Sequence, residues 1–223
     1  MATKTTSVYA RRHNPHTGRS SRQIGTEATI EDLYRVPGKA ELVDGKILQM
    51  APTGRMPGSA GDEIFVSLRA YVRRIGRGYA VGDNKAFRVN LPRRKSFSPD
   101  AAYYVGPDPG MKFFAGAPVF AVEVRSEGDY GARAERAMAK KRVDYFAAGT
   151  LVVWDVDLLS HEVVRVYRAS DPGPPTIYRR GESAEAEPAV PGWTMAVDNL
   201  FVEKCVGNTS TLNPEPLLSC RHD

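Results

Sequence analysis

Hydrophobic and polar positions along the chain sort into a few periodic segments. From Asp62 to Ile75 the apolar residues Ile64, Phe65, Leu68, Tyr71, Val72 and Ile75 recur at helical spacing, with Asp62 and Glu63 at the start and Arg73 and Arg74 at the end. This predicts an amphipathic helix whose terminal charges suit its dipole and which Gly76 stops. A second helix is predicted from about Ala132 to Ala148, closed by Gly149. Ala134, Met138, Lys141 and Tyr145 fall on one stripe of it, so Lys141 points toward the core side. A shorter helix is expected from Thr29, with Glu31 and Asp32 in its first turn, ending before Pro37-Gly38. Strand patterns occupy Phe87 to Leu91, Ala101 to Val105, Leu151 to Val156 and His161 to Tyr167. Between the arms Glu41-Leu-Val and Lys46-Ile-Leu, Asp44-Gly45 is a strong two-residue hairpin signal, and the sheet is expected to begin with this antiparallel pair. Residues 172–175 (Pro-rich) and 182–187 (acidic) read as surface connections, and a last short helix is predicted over Thr194 to Phe201. Together these elements predict an α/β sandwich: a mixed central sheet with an N-terminal hairpin, flanked by helices.

One strand breaks its own pattern. Pro118 to Arg125 (PVFAVEVR) reads as buried on both faces, yet Glu123 sits inside it. An unpaired ion away from water costs several kcal/mol, so such a charge needs a partner. Side chains alternate along a strand, which puts Ala121, Glu123 and Arg125 on one face and Phe120, Val122 and Val124 on the other. A second acid, Asp100, starts the short strand from Ala101, placed there by Pro99, which biases its predecessor to extended geometry. Carboxylates aimed at one point repel unless a cation lies between them, and oxygen ligands of this kind suit Mg²⁺. Asp100 and Glu123 read as a hard-metal site.

Asp100, followed after a spacer by Glu123-Val124-Arg125, resembles the Pro-Asp and Asp/Glu-x-Lys signature of the restriction-endonuclease-like nucleases, with Pro99 supplying the proline. The chain resembles more closely the Uma-two family of that superfamily. The likeness runs through Glu41-Leu-Val-Asp-Gly-Lys-Ile47, Ser98-Pro-Asp100, Ala117-Pro-Val-Phe-Ala-Val-Glu-Val124, Lys141 to Gly149, Val152-Val-Trp-Asp-Val-Asp157 and Pro191-Gly-Trp193, covering residues 25–203. It implies a restriction-endonuclease-like sandwich and a Mg²⁺- or Mn²⁺-dependent DNA endonuclease that contacts the phosphate backbone, with a homodimer as the expected assembly. It implies Asp100 and Glu123 as metal ligands and Glu41 in support. The signature cation two residues after the glutamate is Arg125 here, and a lysine matched by Lys141 takes that place in relatives. Arginine keeps its charge but does not give up a proton, so the exchange is not conservative. The Pro52 to Gly61 loop has no histidine, and Glu127-Gly128 stands where Pro-Ser follows Ser126 in relatives. These departures keep open a second reading, a catalytically inactive nuclease fold serving as a binding or assembly module.

Composition narrows the rest. With 223 residues, 42% hydrophobic and 26% charged, the chain has the make-up of a soluble globular domain, and no apolar run is long enough to span a membrane, so a cytoplasmic protein is expected. The net charge of +5 comes from the residues before Glu27, where Lys4, Arg11, Arg12, Arg19 and Arg22 meet no acid and leave 26 basic against 26 acidic residues beyond. Residues 1–24 are expected to form a flexible basic tail, 25–203 the folded domain and 204–223 a second loose tail. Arg93-Arg94-Lys95 is expected as an exposed basic turn, either simply solvated or in contact with phosphate. Two cysteines near the C-terminus, Cys205 and Cys220, and four scattered histidines offer neither a disulfide framework nor a zinc site. The Gly-rich stretch from Gly54 to Gly61 lacks the Lys-Ser/Thr of a phosphate-binding loop.

Overall fold

A computed structural model describes residues 27–201; both predicted tails lie outside them. The first helix, α1 (Ile30–Leu33), starts at a capping box in which the Asp32 backbone N–H donates to Thr29 Oγ1 and the Thr29 backbone N–H donates back to the Asp32 carboxylate. The hairpin follows as β1 (Ala40–Val43) and β2 (Lys46–Gln49), with Asp44 and Gly45 at φ of 51° and 68°. Positive φ at both turn residues is what a tight, right-twisted hairpin requires and what Asp-Gly tolerates.

Contrary to expectation, this hairpin does not begin the central sheet. It is a two-stranded sheet of its own. Leu42 and Ala40 pack with Leu33 into a small separate core, and β1 lies along residues 94–96 through Lys95 N to Leu42 O (2.8 Å) and Leu42 N to Ser96 Oγ (2.8 Å). Alternation therefore turns Glu41 away from that core.

The long helix α2 (Arg55–Ile75) begins seven residues before the periodic pattern and ends at Gly76, with φ 66°. Pro57 is tolerated in its first turn, where backbone N–H groups lack intrahelical acceptors. Beyond it come β3 (Tyr79–Gly82), β4 (Phe87–Arg88), β5 (Ser96–Phe97), β6 (Ala101–Tyr104), β7 (Phe114–Ala115), β8 (Phe120–Val124), α3 (Ala132–Ala147), β9 (Val152–Val156), β10 (Val164–Arg168), β11 (Asp171–Tyr178), β12 (Ser183–Glu185) and β13 (Thr194–Ala196). The central sheet has the order β11-β10-β9-β8-β6-β3, with β8 and β9 parallel and the remaining pairs antiparallel. Strands β5, β4 and β7 form a small side sheet.

Two layers cover the central sheet. On one face Phe120, Val122, Trp154 and Val164 pack with Ile64, Leu68 and Tyr71 of α2 and with Trp193. On the other, Ala121, Ala102 and Val153 meet Tyr145 of α3 and Phe87 and Phe97 of the side sheet. Glu123, on the Ala121 side, thus faces α3.

Three C-terminal expectations are corrected. The Pro-rich stretch is strand β11, possible because it lies at the sheet edge, where a missing N–H costs no ladder bond. The acidic 182–187 segment contributes β12, paired with β13. Thr194 to Phe201 is that strand followed by a short 3₁₀ helix, Val197–Leu200, not an α-helix. Among the described residues no helix is long and apolar enough to cross a membrane.

Ile64 is fully buried between α2 and the sheet, whereas Val66 on the same helix is 57% exposed. Ile64→Ala is expected to destabilise the fold by about 2–5 kcal/mol through lost transfer energy and a cavity, while Val66→Ala stays within about 0.5 kcal/mol. Urea unfolding of the two variants measures the difference.

Candidate active site

The register of β6 and β8 decides which acids meet. Ala101 pairs with Val122, so one step further Asp100 lies across from Glu123, with Asp100 N donating to Val122 O at 3.0 Å. Residues directly opposite on antiparallel strands share a face, with Cβ atoms about 5 Å apart. Asp100 Oδ2 also accepts the Val124 backbone N–H at 2.7 Å, which fixes that carboxylate at the strand end. The close fit of α2 is visible at Gly61, where an added Cβ would lie 3.6 Å from Asp100 Cβ.

Other segments bring the remaining groups. Glu41, buried on β1, accepts from Ser98 N (2.9 Å) and from Lys141 Nζ (2.9 Å) at one oxygen and from Arg94 at the other. Lys141 on α3 is shared, donating also to Glu123 Oε2 at 2.8 Å. One turn along, Tyr145 donates its hydroxyl to Glu123 Oε1 at 2.6 Å, its ring stacked on Phe97 at 4.0 Å. Lys39, just before β1, donates to Asp100 Oδ1 and reaches Asp83 Oδ1 at 2.7 Å. The structure therefore brings Asp100, Glu123, Glu41 and Lys141 to one place. Lys39, Tyr145 and Arg94 join them without having been singled out in the sequence for these contacts. For Tyr145 a signal existed, since it shares the Lys141 stripe; nothing local marks Lys39.

The basic turn is also corrected. Arg93 is exposed and forked onto Asp44, but Arg94 is buried between Glu41 and Asp144, with Nε 2.9 Å from Asp144 Oδ2, so its charge is already used within the fold.

Burial and partners pull the two glutamates apart. Burial alone would raise the Glu41 carboxyl, but Lys141 and Arg94 outweigh it and bring it down to about 2, so this acid stays ionised. Glu123 is raised: burial leads, the repulsion of Asp100 and Glu41 adds to it, and Lys141 offsets only part. Both lysines are held above their ordinary range, because the carboxylates overcome the burial that would lower them. The Tyr145 phenol is pushed well up by burial and by Glu123.

Arg125, the signature-position cation, is set apart from this cluster. Its Nε and Nη2 fork onto Asp155 at 2.7 and 2.8 Å, and its remaining donors grip Glu135 in the first turn of α3. Asp155, only 1% exposed, lies across from Glu123 in the parallel β8–β9 register. The sheet thus carries a row of three acids, Asp100, Glu123 and Asp155, and Arg125 neutralises the third while tying down the start of the helix that bears Lys141.

Among the described residues no group of three His, Cys, Asp or Glu side chains is close enough to hold a metal ion as the side chains stand. The donor chemistry nevertheless suits a hard divalent ion. Glu41, Asp100 and Glu123 offer oxygen only, two of them opposed across strands, and the ammonium groups of Lys39 and Lys141 stand where positive charge is required.

Arg125→Met would leave Asp155 buried without its fork, which is expected to cost about 3–5 kcal/mol of folding stability. Arg125→Lys, keeping the charge but not the geometry, is expected to fall between the two, as chemical denaturation of both variants would show.

Comparison with known proteins bears on this geometry in two ways. In a crystal structure, a protein from Anabaena variabilis ATCC 29413 described as "a putative nuclease belonging to DUF820" shares the fold with a TM-score of 0.60 at 17% identity, over 78% of this chain and 97% of that one. No curated protein matches the chain in sequence. Residues 30–198 match the family described as "Uma2: Putative restriction endonuclease", a span that contains Glu41, Asp100, Glu123 and Lys141, and the chain belongs to that family.

Proposed function

We propose that the chain is a Mg²⁺- or Mn²⁺-dependent endonuclease that hydrolyses phosphodiester bonds in DNA. The observation that carries this reading is the cross-strand opposition of Asp100 and Glu123, with Lys141 reaching their face from α3. Asp100 and Glu123, with Glu41 in support, would hold the ion. When bound, such an ion activates water and offsets charge on the phosphate under attack.

The chain's own groups divide the remaining work. Glu41, kept ionised, fixes Lys141 by one donor while Glu123 takes a second, leaving the third N–H of the ammonium for a phosphate oxygen. Aimed there before reaction, that donor stabilises developing negative charge without reorganisation. Tyr145 holds the Glu123 carboxylate in one rotamer by its hydroxyl. Arg125 takes no part at the phosphate in this scheme, because its donors are already committed to Asp155 and Glu135.

A second reading is favoured by one specific fact: each site acid already has a cationic partner within the chain, so the fold needs no ion to balance them. A binding or assembly module would have that property too. Incubation of plasmid and single-stranded DNA with the chain and Mg²⁺ or Mn²⁺ separates the two. Cleavage is expected, abolished by a chelator and reduced at least about 100-fold in Asp100→Asn and Glu123→Gln, the scale of losing transition-state contacts. Cleavage that survives both substitutions would assign the chemistry elsewhere. A chain that cuts neither substrate and gains no thermal stability from either ion would be the module.

A further inference from the structure

We infer that Lys39 is the resident counter-cation of the Asp100–Glu123 pair, and that it gives up Asp100 and retreats to Asp83 when a divalent ion binds. The inference rests on the proposed metal-holding role of Asp100 and Glu123.

Position is the first support. Gly38, at φ 81°, turns the chain into β1, and strand alternation puts Lys39 on the same side as Glu41. Its side chain is 13% exposed, and its ammonium is shared between Asp100 Oδ1 and Asp83 Oδ1 while lying close enough to Glu123 for the two charges to stabilise each other.

The second support is the contrast with Lys141. Both partners of Lys141 are interior acids, with side chains 4% and 15% exposed for Glu41 and Glu123, so its charge has nowhere else to go. Lys39 has one interior partner and one at the rim, because the Asp83 side chain is 41% exposed. An ammonium on a flexible stem, with three rotatable donors, changes partners readily. A divalent ion and an ammonium on one carboxylate repel, so the ion and Lys39 compete for Asp100.

Calorimetric titration of the full chain with MnCl₂ tests this without any reliance on cleavage. Lys39→Met is expected to bind Mn²⁺ at least about tenfold more tightly than the unaltered chain, since a competing unit charge is gone. Lys85→Met removes an exposed charge beside Asp83 and is expected to stay within about twofold. Asp83→Asn keeps Lys39 but leaves it only Asp100, and is expected to weaken Mn²⁺ binding; this arm decides the matter should Lys39→Met not fold. Equal affinity in all four chains, or the same gain from Lys85→Met as from Lys39→Met, overturns the assignment of Lys39 alone. No binding at millimolar Mn²⁺ in any of them overturns the metal reading itself, and this inference with it.

Discussion

Two like charges set opposite each other at the end of a buried strand pair dictate what surrounds them. Asp100 and Glu123 are neighbours by register, and same-sign residues directly across a sheet destabilise it. Burial sharpens the conflict, because water no longer screens it. The fold resolves it by bringing cations from elsewhere: Lys39 from the segment entering β1, Lys141 from α3, and Arg94 from the turn before β5, where it in turn secures Glu41. That requirement gives a physical sense to the detached hairpin. Laid along residues 94–96 rather than on the edge of the central sheet, it can present Lys39 and Glu41 toward the acids while keeping Leu42 in a small core of its own.

What the sequence shows of this is the local half. A charge inside an apolar strand is visible as a broken period, and alternation assigns Glu123 its face. A helical stripe assigns Lys141 its direction, and the Asp-Gly turn is visible in two residues. Partnerships between distant segments leave no such trace. Nothing near Arg94 says that it will be covered by Glu41 and Asp144, 53 and 50 residues away, and its basic neighbours suggest a solvated turn instead. Lys39 reaches Asp100 across 61 residues and lies in a stretch with no period to interrupt. The C-terminal misreadings have a related origin. Proline argues against a strand only where every N–H is needed, and whether β11 would be an edge depends on the order of the whole sheet.

The identity of each cation then separates two kinds of neutralisation along one row of acids. Asp155 is closed by a guanidinium whose planar fork matches its two oxygens, a geometry that specifies both partners and resists exchange. The same arginine grips Glu135, so the pairing also fixes where α3 begins and, six residues on, where Lys141 stands. Asp100 and Glu123 are closed by ammonium groups, which hold by charge more than by shape and can be replaced by another compact cation. A lysine at position 125 would have made the third acid as exchangeable as the first two, and would have left the start of α3 less firmly tied. Seen this way, the arginine in the signature position is not a defective lysine. It closes Asp155 and ties the start of α3, and leaves ammonium groups alone to neutralise the two acids that face each other across β6 and β8.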